Sequence, residues 1–259
     1  MRLSVAIMAH PTRRRFVGEL ADRLPEAVVV WDRENDRWET GSRSLLSFDS
    51  AADAHLVIQD DSLPCRDLVA GAMAAFKATD GERPIALYTG RVRPHRETVT
   101  PAVKRALRIG SPWLEMPGPW WGPGLVIPSA HIPELVEWGD RHPKIRNYDR
   151  RIEAFYQEQG IDCWYTVPSL VEHRPVEENP SLVKGRTGNR QAHSFIGERS
   201  PLNIDWTLPP VRLDSAAVFR HRHAGRTRTV QAGSAQYRAL SRNPNWIEEM
   251  PSADLSLAA

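Results

Sequence analysis

The stretch that most constrains this chain runs from His55 to Leu68, HLVIQDDSLPCRDL: a short apolar strand that stops abruptly at two adjacent carboxylates. Leu56, Val57 and Ile58 lack polar alternation, as strands do when a sheet is covered on both faces. Gln59, Asp60 and Asp61 then put acceptor oxygens at the carboxyl end of the strand. In open α/β sheets, ligands bind in the crevice beyond those ends. Neighbouring carboxylates repel, and burying them is costly unless a cation or strong donors offset the charge. A divalent metal holding a diphosphate would do so. A second reading fits the same letters, in which Asp61 or Ser62 caps a helix from Pro64 through Phe76.

The first ninety residues alternate strand and helix, the pattern of a mostly parallel sheet. Met1 to Met8 reads as a first strand. Thr12 is placed to cap a following helix with Phe16, Val17, Leu20 and Leu24 at helical spacing. His10 and Arg13 lie in the turn between them, a phosphate or nucleotide cradle on one reading and a solvated basic face on the other. Ala27 to Trp31 is a second buried strand. Asp32 closes it, where an acid often accepts hydrogen bonds from a ribose or base. The glycine-rich dinucleotide fingerprint is missing from the first turn, which argues against a NAD or FAD enzyme. Asn35 to Ser44 is polar and turn-rich, Leu45 to Ala54 suits a short helix, Ile85 to Tyr88 a strand, and Thr100 to Ile109 a helix with Val103, Ala106 and Leu107 on one side.

The segment around Pro112 to Pro128 carries Trp113, Trp120 and Trp121 among prolines and glycines and cannot form a regular helix. Its indoles are either platforms for sugar or base faces or fillers of a gap in the core. Gly122-Pro123-Gly124 suggests a close backbone approach to a ligand or neighbouring chain. Asp149, near the start of a helix from Tyr148, is placed either as an N-cap or as a catalytic base lining a cleft. His173 follows the strand Cys163 to Val167.

Length and charge bound the rest. The 259 residues suffice for one large or two modest domains, and a net charge of +2 gives no wholesale attraction to nucleic acid or membrane. No apolar run approaches the roughly 18–20 residues that span a bilayer, so the expected location is the cytoplasm. The two cysteines, Cys65 and Cys163, have neither zinc-site nor disulfide spacing, and Cys65 reads as a small apolar residue.

In order along the chain, His10-Pro-x-Arg13 after the first strand, the QDD of Gln59 to Asp61, GPGLVIP from Gly122 to Pro128, Tyr148-Asp149 opening a helix, and PSLVEH from Pro168 to His173 together resemble a GT-A-fold glycosyltransferase of the kind found in phages and bacteria. The resemblance covers about residues 1–200 and implies a GT-A-like α/β domain. It implies further that Asp61 is the main ligand of a Mn²⁺ or Mg²⁺ ion bridging the donor diphosphate, with Asp60 on ribose or metal and His173 as the distal ligand. The donor would be a UDP- or GDP-sugar, and Asp149 the base of an inverting transfer. This sequence has QDD where many relatives have Asp-x-Asp. His10, Arg13, Asp32 and Asp60 are the nucleotide-binding candidates, and Trp120, Trp121 and Gly122 those for the acceptor. Lys184, Arg186 and Arg190, in a glycine-containing basic stretch, are candidates to close over the donor phosphates or simply form an exposed loop.

Residues 201–214 read as a linker or a strap over the domain, and 215–259 as a small accessory module. Val218-Phe219 and Thr227 to Val230 flank a hairpin turn, and Ser234 caps a helix before Trp246. The module resembles hairpin-helix units at the ends of phage proteins and would dock the enzyme to a macromolecular partner. The acceptor would be a phage structural protein, modified DNA or a glycan. His221 and His223 form a possible metal pair without nearby ligands, and the arginines around them a basic face able to touch nucleic acid or an acidic partner.

Overall fold

The computed structural model describes residues 1–91, 96–175 and 190–213, without the side chains of 96–98, and gives the backbone of three further strands in the tail. Among the described residues, β1 (Leu3–Ala9), β2 (Val28–Trp31), β3 (Ala54–Gln59), β5 (Ile85–Ala86), β6 (Trp113–Met116), β7 (Gly124–Pro128), β8 (Cys163–Thr166) and β10 (Val211–Arg212) form one sheet, ordered β10-β6-β8-β5-β7-β3-β1-β2. The pairs β1·β2, β1·β3, β5·β8 and β10·β6 are parallel, so the sheet is mixed but mostly parallel. β7 runs antiparallel to both its neighbours, β3 and β5. Two short strands outside this sheet, β4 (Ser62–Pro64) and β9 (Val171–His173), pair antiparallel with each other.

Helices cover both faces, which is why Leu56 to Ile58 of β3 could run apolar without alternation. Leu56 and Ile58 point into one core with Val17 and Leu20 of α1 (Arg14–Arg23) and Leu68 and Phe76 of α3 (Leu68–Lys77). Val57 points into the other with residues of α2 (Arg37–Leu46), α4 (Arg96–Ile109), α5 (Ile132–Arg141) and α6 (Tyr148–Glu158). None of the described helices is long and apolar enough to cross a membrane.

Several sequence expectations are corrected. The stretch 35–44, expected as turns, is mostly helix α2. Asp36 caps it by accepting from the amides of Trp38 (2.7 Å) and Glu39 (3.1 Å), and Trp38, Gly41 and Leu45 recur on its buried face. The helix expected from Pro64 begins at Leu68 instead, because Ser62–Pro64 pair with β9. Capping by Asp61 or Ser62 is thereby ruled out. Trp113 to Met116, in the segment read as unable to form a helix, are a strand, and Leu107 faces solvent where burial was expected. Residues 201–213 lie over the domain as a strap: Pro201 packs on Gly71, the Trp206 ring packs at a tilt against Trp113 with centroids 4.8 Å apart, and β10 extends the sheet edge. In the tail, β11 (Val218–His223) pairs antiparallel with β12 (Arg226–Gln231), as a hairpin requires, and β13 (Ile247–Glu249) pairs with β11. The helix expected after Ser234 and Trp246 lie outside the described residues.

Two glycines let aromatic rings rest directly on helix backbone. A Cβ at Gly139 of α5 would lie 2.0 Å from Cζ2 of Trp38, and one at Gly41 of α2 2.1 Å from Cδ2 of Tyr148. The Trp38 ring is held by a hydrogen bond to Asp140 (2.8 Å) and by the Arg151 guanidinium 4.6 Å from its centroid. Gly139→Ala is expected to cost about 1–3 kcal/mol through overpacking, against the roughly 1 kcal/mol that alanine gains in helix propensity. The check is a lowered urea midpoint at unchanged slope.

His55 is fully buried at the start of β3, between the Ser4 hydroxyl (2.8 Å from Nδ1) and the Ser44 carbonyl (2.8 Å from Nε2). Nε2–H donates to the carbonyl, which leaves Nδ1 to accept from Ser4. Burial holds the ring's pKa below the ordinary histidine value, with the hydrogen bonds opposing. A depressed pKa contributes stability that is present above the unfolded value and lost as pH falls through the folded one. Unfolding midpoints should therefore fall on acidification below about pH 6.5, and less steeply in His55→Gln.

Candidate functional site at the sheet rim

The carboxyl ends of β1, β2 and β3 are tied together by backbone bonds: the Asp60 amide donates to Met8 O (3.1 Å) and the Asp32 amide to Ala9 O (2.7 Å). Directly beyond β1, the amide of His10 donates to Asp60 Oδ2 at 2.6 Å. The imidazole of His10, rather than the expected Thr12, caps the short 3₁₀ turn Pro11–Arg13 that precedes α1, accepting from the Thr12 amide at 3.3 Å. Arg13 ends that turn. Its Nη1 lies 2.6 Å from Asp60 Oδ1 and 3.1 Å from Asp61 Oδ2. Both aspartates are almost fully buried and Arg13 largely so.

β4 and β9 then close the site from the other side. Their pairing sets His173 opposite Ser62, with Nε2 3.7 Å from Asp61 Oδ2, and the Arg174 amide donates to the Asp61 carbonyl (2.8 Å). Burial pushes the Asp60 carboxyl above the usual range; Arg13 opposes this and Asp61 adds to it. For Arg13, burial pulls downward, but Asp61 and Asp60 outweigh it and its pKa is raised. Burial lowers the pKa of His173, with Asp61 opposing, so the imidazole is neutral at pH 7. Its buried Nδ1 has no hydrogen-bond partner among the described residues.

A second wall comes from the loop before β7. Because β7 is antiparallel, this loop enters the sheet at the same rim where β3 leaves it. The Pro123 carbonyl accepts from the Gln59 amide and the Ser62 hydroxyl, both at 3.0 Å. At Gly122 a Cβ would lie 2.9 Å from Gln59 Nε2 and 3.3 Å from Asp149 Cβ. The close approach expected of this glycine is thus to the protein's own Gln59 and to α6, and it draws Asp149 toward the end of β3. Asp149 is not the N-cap of α6, a position held by Asn147. It lies in the first turn, half-buried, accepting from the Arg150 amide at 2.9 Å. Burial raises its pKa, opposed by Arg150.

The tryptophans divide. Trp120 is buried in the core, so its ring has no open face for an acceptor, and its backbone amide donates to the Tyr165 hydroxyl. The gap-filling reading is right for it. Trp121 is half-buried and packs edge-on against Tyr88, with centroids 6.2 Å apart; Tyr88 in turn meets His173 at 6.2 Å. Asp32 sits at the rim, accepting from the amides of Glu34 (3.1 Å) and Asn35 (2.8 Å), with Oδ2 3.9 Å from His10 Nε2. The carbonyl of Arg190 accepts from the Tyr88 hydroxyl, and the charge of Arg190 is felt at His173. Lys184 and Arg186 lie outside the described residues. Sequence reasoning passed over Tyr88 and Arg174. Each follows a strand end at the rim, which was the available signal. Arg174 is buried, stacked 4.4 Å from the centroid of Phe16 and paired with Glu19 at 2.5 Å. Cys65 is buried and its thiol pushed up to about 12 by burial, with Asp67 adding, which makes it a packing residue.

Asp60, Asp61 and His173 are thus neighbours, but they do not fit the metal shell that the family resemblance implies. Both oxygens of Asp60 are engaged, one by a backbone amide and one by Arg13, and Asp61 Oδ2 shares that guanidinium. No group of three or more His, Cys, Asp or Glu side chains among the described residues is disposed to hold a metal ion. The physical reason is a competing cation, supplied by the chain itself.

No protein-family model matches the chain, and a search of curated proteins finds no match. Among solved structures, it is similar to a mutant of Drosophila β-1,4-galactosyltransferase 7 in complex with manganese, UDP-galactose and xylobiose. The TM-score is 0.37 and the identity 9% over 89% of this chain and 92% of that chain.

Proposed function

We propose that the protein is a glycosyltransferase that moves a sugar from a nucleoside-diphosphate sugar to a hydroxyl of an acceptor. One observation carries this reading. Five short motifs scattered between residues 10 and 173 meet at a single sheet rim: His10–Arg13, Gln59–Asp61, Gly122–Pro123, Tyr148–Asp149 and Val171–His173.

The chemistry follows from their positions. The donor diphosphate lies against Arg13, Arg190 and the turn leading into α1, which together stabilise the negative charge that develops as it departs. The bond from the sugar's anomeric carbon to the diphosphate oxygen breaks, and its electron pair leaves with the diphosphate. The acceptor oxygen forms the new bond from the opposite face and passes its proton to the Asp149 carboxylate. The Trp121 ring offers an apolar surface to a sugar face, and His173 Nδ1 a hydrogen-bonding position for donor or acceptor. The acceptor is a glycan, a phage structural protein or modified DNA, with the tail module docking the enzyme to it.

The test is a screen of UDP-, GDP- and TDP-sugars for release of the nucleoside diphosphate. Release with one of them, lost in Asp149→Asn, supports the proposal. Binding of a nucleotide-sugar with no release in the presence of any acceptor class would instead identify a binding protein.

A further inference from the structure

We infer that Arg13 is the resident cation of this site, so that the paired carboxylates serve to hold a guanidinium and a diphosphate bound at the rim is met by Arg13 instead of a divalent metal. The diphosphate part of this inference rests on the transferase reading; the role of Arg13 toward the carboxylates does not.

Arg13 is placed by backbone geometry as well as by charge. It ends a turn that His10 caps from one side, and the His10 amide is also the second donor to Asp60. The loop that positions the guanidinium and the loop that satisfies the carboxylate are therefore the same four residues, His10 to Arg13. Nη1 alone spans Asp60 and Asp61, at 2.6 and 3.1 Å. A divalent ion needs its oxygens at about 2.0–2.6 Å, so it cannot share that position with a nitrogen at hydrogen-bond distance. To admit one, Arg13 would have to give up both ion pairs and the Asp60 oxygens would have to turn from the amide. A guanidinium also offers five N–H donors in a planar fork, a geometry that suits phosphate oxygens as well as carboxylates. The sequence places an invariantly charged side chain where a metal's charge is otherwise required, since arginine stays protonated at any working pH.

The experiment uses the full chain and two probes, Mn²⁺ alone and a nucleoside diphosphate. Free Mn²⁺ is followed by electron paramagnetic resonance as wild type is titrated in. The expected result is an undiminished free-ion signal, and a nucleoside diphosphate affinity that changes by less than about twofold between EDTA and Mn²⁺. Stoichiometric uptake of Mn²⁺ by wild type that is lost in Asp61→Asn would overturn the proposal. In Arg13→Met the vacated charge should make the thermal midpoint rise with added Mn²⁺, while wild type does not respond. A folded variant that ignores Mn²⁺ also sinks the idea, and a variant that does not fold leaves the wild-type titration to decide. If no nucleoside diphosphate binds wild type with or without metal, the transferase reading fails, and the Mn²⁺ titration still decides the role of Arg13.

Discussion

Arg13→Met is expected to lower stability by about 3–5 kcal/mol at neutral pH, because it leaves two buried carboxylates facing each other with their shared cation gone. Burial makes the loss large: Asp60 and Asp61 are only 3–4% exposed at the side chain, so water cannot readily replace the guanidinium. Acidification should reverse the loss. Burial already holds the Asp60 carboxyl above the usual range, and removing Arg13 takes away the strongest influence that opposes it. A carboxyl whose folded-state pKa is raised destabilises the fold as pH rises through that pKa and has no such cost below its unfolded value. The gap between wild type and variant should be widest near neutrality and close toward about pH 4. Chemical denaturation at several pH values measures it, and a gap that does not change with pH would show that the carboxylates are not its source.

The second large effect concerns turnover. On the transferase reading, Asp149→Asn should lower kcat by about 10²–10⁴-fold, the range general-base removal typically gives. Stability should be unchanged or higher, since burial disfavours the charged form of this carboxyl and the amide avoids that penalty. The base must be ionised to accept a proton. With its pKa raised by burial, the acidic limb of the kcat/KM profile in wild type should stand above the roughly 3.9 of an unperturbed aspartate, and it should be missing from whatever activity remains in the variant. A profile whose acidic limb survives in Asp149→Asn would assign the base elsewhere.

Much of the scaffold was legible in the sequence because its signals are local. The uninterrupted apolar run of Leu56 to Ile58 announced a sheet covered on both faces, and the spacing of Val17 and Leu20 announced a helix that covers it. What stayed hidden was set by pairings between distant residues. Ser62-Leu63-Pro64 has the letters of a helix start and becomes a strand only because Val171–His173 comes to lie beside it. Nothing within residues 201–213 reveals that Trp206 will find Trp113. The adjacent rings of Trp120 and Trp121 carry the same chemistry, and only the packed fold sends one into the core and leaves the other half-open. The same holds at the site. The acidic pair implied a cation, but the sequence did not say which, and the one present comes from 47 residues upstream of Asp60.

The contact between Gly41 and Tyr148 has a practical consequence. Tyr148 is the immediate neighbour of Asp149, so a methyl group added on α2 would press on the ring that fixes where the proposed base stands. A random-mutagenesis survey scored on turnover should therefore return hits at Gly41, in the hidden interior and over a hundred positions upstream in the chain. Shaving the ring, as in Tyr148→Leu beside Gly41→Ala, should recover part of what the methyl took away.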